Sequence, residues 1–215
     1  MNPVFFAGVG VTGVFLAALL LFERAGSRTG RMICKPIASL GFLLAAFGAR
    51  AWASAYGQVV FAALVLCLAG DILLLWEAKA SFLGGLVSFL LGHVLFGVAF
   101  VIAGVELTTA AIGFCALLVP GAITWRWLGP HVEREMKGPV LVYLVVITAM
   151  VALAASATRA GAGWTVIAGA ALFYLSDLTV ARDKFVHPGY VNKLWGWPVY
   201  YLAQLLLAAS VSFPA

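Results

Sequence analysis

Two aspartates, Asp71 and Asp177, stand inside long apolar runs of this chain. A carboxylate at the centre of a membrane helix costs about 2.5–3.5 kcal/mol on insertion scales, so such residues usually face the bundle interior and serve a function. Both aspartates lie at nearly the same depth, so they could meet across a helix bundle. Repulsion and a low dielectric would then keep one of them protonated near neutral pH. The alternative is that each aspartate pairs with a nearby Lys or Arg, or caps a broken helix.

His93 lies about eleven residues into another apolar run, near the middle of a membrane. Two aspartates and one histidine could bind a metal, but zinc sites normally take three or four ligands. The other two histidines, His131 and His187, lie in predicted loops. We therefore predict no metal and no cofactor, and we group His93 with the aspartates as a catalytic residue. Its alternative role is a helix-packing group.

Four further residues are predicted to bind a substrate. Tyr200 and Gln204 are four residues apart and share one helix face. Ser176 precedes Asp177, but no G-x-S-x-G motif supports serine-hydrolase chemistry. Lys35 borders one mouth of the bundle with other basic residues, where a phosphate would meet positive potential. Simple membrane topology also explains such basic residues.

The composition limits the class of protein that positions these side chains. Of 215 residues, 64% are hydrophobic and 10% are charged, whereas soluble domains are roughly 45–50% apolar and about 25% charged. We therefore do not expect a soluble enzyme, a nucleic-acid binder or a disordered protein. Three cysteines without paired spacing indicate no disulfide framework.

Apolar runs of about 20 residues are long enough to cross a bilayer as helices. The sequence predicts an all-α membrane protein, a bundle of eight transmembrane helices in a single domain over residues 1–215. The predicted helices cover residues 3–22, 36–50, 58–76, 82–103, 107–125, 138–157, 163–181 and 194–213.

The basic residues predict the orientation of this bundle. Eleven of the thirteen Lys and Arg residues fall in or beside the loops that follow the first, third, fifth and seventh helices, and only Arg50 and Arg159 fall on the opposite side. Short basic loops usually remain in the cytoplasm. We therefore predict cytoplasmic loops at 23–35, 77–81, 126–137 and 182–193, with both termini on the non-cytoplasmic side of the membrane.

A faint internal duplication accompanies this pattern. Asp71 and Asp177 are 106 residues apart, and each lies in the third helix of a four-helix half. Lys35-Pro36 before the second helix has a rough counterpart in Lys137-Gly138-Pro139 before the sixth. Four helices per half would make the two repeats parallel, related by an axis along the membrane normal.

Four motifs resemble those of the YhhN-like lysoplasmalogenase family of multi-pass membrane proteins, in matching order and spacing. They are G-D-I-L-L-L (70–75), F-L-L-G-H-V-L-F-G-V-A-F (89–100), F-Y-L-S-D-L-T-V-A-R (173–182) and Y-Y-L-A-Q (200–204). The resemblance implies hydrolysis of the vinyl ether bond of lysoplasmalogens, giving a fatty aldehyde and glycerophosphocholine or glycerophosphoethanolamine. It implies site roles for Asp71, His93, Asp177, Tyr200 and Gln204.

Acid chemistry suits this reaction. Protonation of the alkenyl carbon gives an oxocarbenium ion that water captures, so one protonated acid and one anion are required, as in glycosidases. The expected partners are a lysophospholipid substrate and the lipid bilayer, without nucleic acid. A small proton-coupled transporter is the main alternative, since membrane-embedded acids and parallel repeats also occur there. A structural or lipid-sensing role is the third.

Overall fold

A computed structural model describes residues 1–212 of the chain. Within that range the chain contains no β-strand and folds into eight long helices joined by short loops. The helices are α1 (Pro3–Arg24), α2 (Arg28–Gly48), α3 (Ala55–Leu73), α4 (Lys79–Ala103), α5 (Leu107–Leu128), α6 (Lys137–Arg159), α7 (Thr165–Ala181) and α8 (Tyr190–Ser210).

The predicted all-α membrane fold and its helix number are confirmed. Of the helices within residues 1–212, the first seven are long and apolar enough to cross a membrane. Helix α8 is less apolar because it carries Tyr, Trp, Asn and Gln side chains. Its 21 residues still give a length of about 31 Å, which matches the apolar thickness of a bilayer.

The predicted start of the second helix is wrong. Helix α2 begins at Arg28, where the Ser27 side chain accepts a hydrogen bond from the Gly30 backbone N–H at 3.2 Å. Pro36 lies inside the helix and does not open it. Proline is tolerated there because neighbouring groups satisfy the freed backbone carbonyl in a packed membrane bundle. Lys35 is therefore a buried helix residue, not part of a loop.

The other described helix boundaries agree with the prediction to within four residues. The largest shift is in α8, which begins at Tyr190, so Lys193 belongs to its first turn. Arg182 and Lys184 lie in a π-helical turn that directly follows α7. The predicted end of the last helix, residue 213, lies outside the described residues.

The loops gather at two opposite ends of the bundle. We call one of them the basic end; its loops are 25–27, 74–78, 129–136 and 182–189. Contacts join these segments: Glu23 binds Lys193 at 2.6 Å, Lys79 binds Glu135 at 2.7 Å, and Arg28 lies over the Trp76 ring.

The opposite, far end holds residues 1–2 and 211–212 with the remaining loops. Tyr56 at the start of α3 contacts Ser210 at the end of α8, with 2.6 Å between their hydroxyl oxygens. The Glu106 backbone N–H donates to Ser156 at 2.9 Å. Helix α8 therefore runs from the basic end to the far end, across the same thickness as the other helices.

Six helices form a closed ring. Going around it, α2 packs on α3, α3 on α4, α4 on α6, α6 on α7, α7 on α8, and α8 on α2. Helix α1 packs outside the ring against α2 and α8, and α5 packs outside it mainly against α6. The interior of this ring is where polar side chains from different helices can meet.

Small residues fix α1 on α2. A Cβ atom added to Gly8 would overlap the backbone of Gly41 and Ala45, so the two helices approach closely. The Thr12 hydroxyl donates to the Ala38 carbonyl at 3.0 Å across the same contact. Such contacts stabilise helix pairs in lipid, where apolar burial adds little. They hold the helix that carries Lys35.

The two halves of the chain show corresponding helix contacts. Helix α2 packs on α3 and α8, and its counterpart α6 packs on α7 and α4. In both halves the first helix lies outside the ring. This arrangement is what two parallel four-helix repeats require, and it supports that prediction.

The orientation of the bundle is open to a labelling experiment. Ala25 and Ala160 are exposed at the basic end and the far end. In a chain whose three cysteines are replaced, Ala25→Cys should react with a membrane-impermeant maleimide only from the cytoplasmic side, and Ala160→Cys only from the other side, because short basic loops stay in the cytoplasm. Right-side-out and inverted vesicles provide the two measurements. Reaction of both cysteines from one side would contradict the eight-helix topology.

Candidate active site

A cavity of about 400 Å³ lies within the helix bundle and reaches the basic end. All eight helices contribute to its wall, and both Asp71 and Asp177 line it. Apolar side chains dominate the lining that comes from α4, α5 and α6, whereas the charged lining residues come from α2, α3, α7, α8 and the segments that follow α3 and α7. The apolar lining includes Phe82, Leu86, Phe89, Leu128, Val140, Leu144 and Ile147.

Asp71 is held by side chains from two other helices. Its Oδ1 lies 3.1 Å from the Lys35 ammonium of α2. Its Oδ2 accepts hydrogen bonds from Ser39 of α2 and Tyr200 of α8, each at 2.7 Å. Asp71 is 2% exposed and Lys35 is 6% exposed. One buried cation and two hydroxyl donors therefore surround the Asp71 carboxyl group.

Asp177 lies in a different environment. Its Oδ2 accepts a hydrogen bond of 2.5 Å from the Tyr143 hydroxyl of α6. The His93 ring of α4 brings its Nε2 to 3.5 Å from the same oxygen. Among the described residues, no Lys or Arg lies within 4.0 Å of Asp177. The two carboxyl groups of the cavity therefore differ in their counter-charge.

The contacts of His93 define its tautomer. Its Nδ1 lies 2.6 Å from the Phe89 carbonyl, which can only accept, so Nδ1 carries a proton. In the neutral ring Nε2 is then a lone-pair atom, 3.5 Å from Asp177 Oδ2. The ring is fixed by Phe173, with ring centroids 4.3 Å apart. His93 is 1% exposed and lies behind Asp177 rather than in the cavity wall.

The other predicted site residues are only partly brought together. Tyr200 and Lys35 line the cavity beside Asp71. Ser176 also lines it, but its hydroxyl donates to the Phe173 carbonyl of its own helix at 2.8 Å. Gln204 is fully buried away from the cavity wall, and its amide has no hydrogen-bond partner among residues 1–212.

Three residues of the site were missed by the sequence reasoning. Ser39 and Tyr143 bind the two aspartates directly. Tyr174 lines the cavity one helical turn before Asp177, and its buried hydroxyl lacks a partner in the described chain. A serine is too common in membrane helices to be noticed, and the tyrosines suited an interfacial belt. Their depth in the helices could have indicated them: Tyr143, for example, lies about 10 Å inside the end of α6.

Unpartnered buried atoms mark where a ligand or water could bind. His93 Nε2 and the Tyr174 hydroxyl are both buried without a hydrogen bond within residues 1–212. Buried polar atoms nearly always have a partner, which is often an ordered water. Of these two residues Tyr174 lines the cavity, so its hydroxyl is an unused hydrogen-bonding group beside Asp177. Within the same range, no three His, Cys, Asp or Glu side chains form a group that could hold a metal ion.

Fold and site together define a multi-pass helical membrane protein with two carboxyl groups in one internal cavity. The YhhN family model matches residues 30–211, and the chain belongs to this family.

Several relatives are named as enzymes. The chain is 33% identical over 177 residues to human lysoplasmalogenase TMEM86A, covering 80% of this chain and 69% of that protein. It is 30% identical to bovine lysoplasmalogenase TMEM86A, covering 70% of this chain and 64% of that protein. It is also 30% identical over 212 residues to the lysoplasmalogenase of Mycobacterium tuberculosis, covering 94% of this chain and 79% of that protein. No solved structure is significantly similar to the chain.

The buried ion pair makes a prediction about stability. Lys35→Met should lower the free energy of unfolding by about 3–5 kcal/mol, because it leaves the Asp71 carboxylate buried without a counter-charge. Adding Asp71→Asn to this variant should restore most of the loss. Reversible unfolding in detergent measures both effects.

Lys79→Met is the matched control, because Lys79 forms an ion pair of 2.7 Å with Glu135 at the exposed basic end. Its effect on stability should be much smaller, since solvent screens exposed pairs. If Lys35→Met lowered the free energy of unfolding as little as Lys79→Met, the Asp71 pair would not be important for stability.

Proposed function

We propose that this chain hydrolyses the vinyl ether bond of lysoplasmalogens, releasing a fatty aldehyde and glycerophosphocholine or glycerophosphoethanolamine. Membership of the YhhN family and relatives named lysoplasmalogenase support this class of reaction. The observation that carries the proposal is the pair of unlike carboxyl groups in one cavity. Asp71 has a buried cation beside it, and Asp177 has a tyrosine and a histidine.

This difference supports a separate role for each aspartate. Asp177 is the general acid, because no ammonium or guanidinium lies near it to favour its ionised form. Both of its contacts fall on Oδ2, and we assign the acidic proton to Oδ1. Asp71 remains a carboxylate and stabilises the positive charge that develops on the substrate. Tyr143 and His93 position the acid, and Tyr143 stabilises the carboxylate that remains after the proton leaves.

The proposed reaction has three steps. Asp177 transfers its proton to the alkenyl carbon next to the ether-bearing carbon, and the C=C electron pair forms the new C–H bond. The resulting oxocarbenium ion is attacked by water, which loses a proton to the Asp177 carboxylate and restores the acid. The C–O bond from the hemiacetal carbon to glycerol then breaks as the hemiacetal hydroxyl becomes the aldehyde C=O, and the hydroxyl proton passes to the glycerol oxygen. The net reaction consumes one water molecule, so it requires no oxidant or reductant.

The cavity lining suits an amphiphilic substrate. The apolar residues between α4, α5 and α6 would contact the hydrocarbon chain, and the basic end would receive the polar head group. The vinyl ether lies between these two parts of a lysoplasmalogen, at the level of the two aspartates. A transporter would also bind solutes among acids. Aldehyde release by detergent-purified protein, without any membrane gradient, distinguishes the enzyme from the transporter.

Replacement of either aspartate tests the division of roles. Asp177→Asn should abolish proton transfer, and Asp71→Asn should remove the charge that stabilises the oxocarbenium ion. Each change should reduce aldehyde release per folded molecule by about 10²–10⁴-fold. The assay follows aldehyde production from a lysoplasmalogen, with folded protein quantified by size-exclusion chromatography.

Glu106→Gln serves as the control carboxylate, since Glu106 is exposed at the far end, where it contacts Arg159. It should leave the rate unchanged. Aldehyde release near the wild-type rate by either aspartate variant would remove that residue from the mechanism. Unchanged behaviour of both would favour a structural or lipid-sensing role.

Isotopes report the atom that receives the proton. Hydrolysis in deuterated water should place one deuterium on the carbon next to the aldehyde group, because the acidic proton exchanges with solvent. In ¹⁸O-water the released glycerol hydroxyl should carry no label, because water attacks the oxocarbenium carbon and the glycerol oxygen is retained. Mass spectrometry of both products measures these outcomes. Label in the glycerol hydroxyl, or aldehyde without deuterium when product exchange is slow, would exclude carbon protonation.

A further inference from the structure

The basic residues that line the cavity fall into two groups. Three of them pair with three carboxylates: Arg31 contacts Glu23 at 3.2 Å, Lys193 contacts Glu23 at 2.6 Å and Asp183 at 4.0 Å, and Lys35 contacts Asp71 at 3.1 Å. These three cations are engaged by the fold. The carboxylates compensate their positive charges, so these cations are less available to bind an anionic ligand.

The two other cations of the cavity wall, Arg28 and Lys184, have no carboxylate within 4.0 Å among residues 1–212. Arg28 begins α2 and lies over the Trp76 ring at 5.8 Å. Lys184 lies in the turn after α7, 4.5 Å from the centre of the Phe82 ring. An aromatic face attracts a cation without cancelling its charge, so each ring holds its cation at the cavity mouth.

One carboxylate of the mouth is also uncompensated. Glu77 lines the cavity, and no Lys or Arg lies within 4.0 Å of it in the described chain. Asp183 is compensated instead, because it lies 4.0 Å from the Lys193 ammonium and accepts hydrogen bonds from the Gly189 backbone at 2.8 Å and from Asn192 at 3.0 Å. Among residues 1–212, the mouth therefore presents two cations and one carboxylate that have no ion-pair partner within 4.0 Å.

We propose that Arg28 and Lys184 bind the phosphate of a phosphodiester head group and that Glu77 binds its ammonium group. This inference rests on the proposed function and adds the recognition of the zwitterionic head group. A guanidinium suits phosphate oxygens because it can donate two parallel hydrogen bonds, and an ammonium adds a second point charge. A glycerophosphoethanolamine or glycerophosphocholine group carries one charge of each sign, which the mouth complements.

The alternative is that Arg28 and Lys184 only set the membrane orientation of the chain. That role predicts no preference for a phosphate on the ligand. The two explanations separate in a binding experiment that does not require turnover, using saturated-ether analogues that cannot be protonated and cleaved in this way. The probes are 1-O-alkyl-glycerophosphoethanolamine and a 1-O-alkylglycerol of the same chain length.

Isothermal titration of the full chain in neutral detergent measures both affinities. Arg28→Gln and Lys184→Gln should each weaken binding of the phosphoethanolamine probe about tenfold, the size expected for loss of one charge-assisted hydrogen bond. Binding of the alkylglycerol should be unchanged. Arg134→Gln is the matched control, since Arg134 is an exposed cation of the same end that does not line the cavity. It should change neither affinity.

Glu77→Gln tests the ammonium contact. It should weaken binding of the phosphoethanolamine probe but not of a 1-O-alkyl-glycerophosphoglycerol, which has the phosphate and no ammonium. Unchanged phosphoethanolamine binding by Arg28→Gln and Lys184→Gln, or equal weakening of the alkylglycerol, would overturn the proposal. Head-group selectivity in a protein that releases no aldehyde would overturn the proposed hydrolysis and leave the head-group site intact.

Discussion

The ion pair between Lys35 and Asp71 is the interaction on which the rest of the site depends. Both residues are almost fully buried, so each is acceptable only while the other is in place. The pair joins α2 to α3, and the Tyr200 hydroxyl adds α8 through the same carboxylate. Three helices of the ring are thus fixed around one charge. Their positions in turn determine the width of the cavity that Asp177 faces from the other side.

Corresponding helices in the two halves of the bundle surround the two aspartates, but the side chains that they supply differ. Asp71 on α3 is held from α2 and α8, and Asp177 on α7 is held from α6 and α4. The residues from α8 and α4, Tyr200 and His93, are 107 positions apart, close to the 106 between the aspartates. A repeat supplies two equivalent acids, and the difference between lysine on one side and tyrosine on the other makes them chemically unlike. That asymmetry is what acid catalysis by a carboxyl pair needs.

The fold was predictable because membrane helices are long and uniform in composition, and the two aspartates were conspicuous because a buried charge in lipid is rare. The start of α2 was not predictable from hydropathy, since Pro36 and several basic residues interrupt the run, and the Ser27 cap decides the boundary. Lys35 was therefore placed at the mouth, although it neutralises Asp71. Gln204 was expected in the site and lies outside it. A membrane helix is apolar on all sides, so its sequence shows no periodicity that identifies the face lining a cavity. Tyr143 was missed for that reason.

The order of the helices along the chain has a consequence for biogenesis. During synthesis α2 emerges with Lys35 before α3 supplies Asp71, so α2 enters the membrane with an unpaired charge about 10 Å from its end until α3 arrives. Tyr200 is made 129 residues after Asp71. The membrane-insertion machinery must therefore retain or tolerate an incompletely satisfied α2–α3 pair while five further helices enter the bilayer. A nascent chain that stops before α8 contains both acids, but its ring is open and Asp71 lacks the hydroxyl of Tyr200.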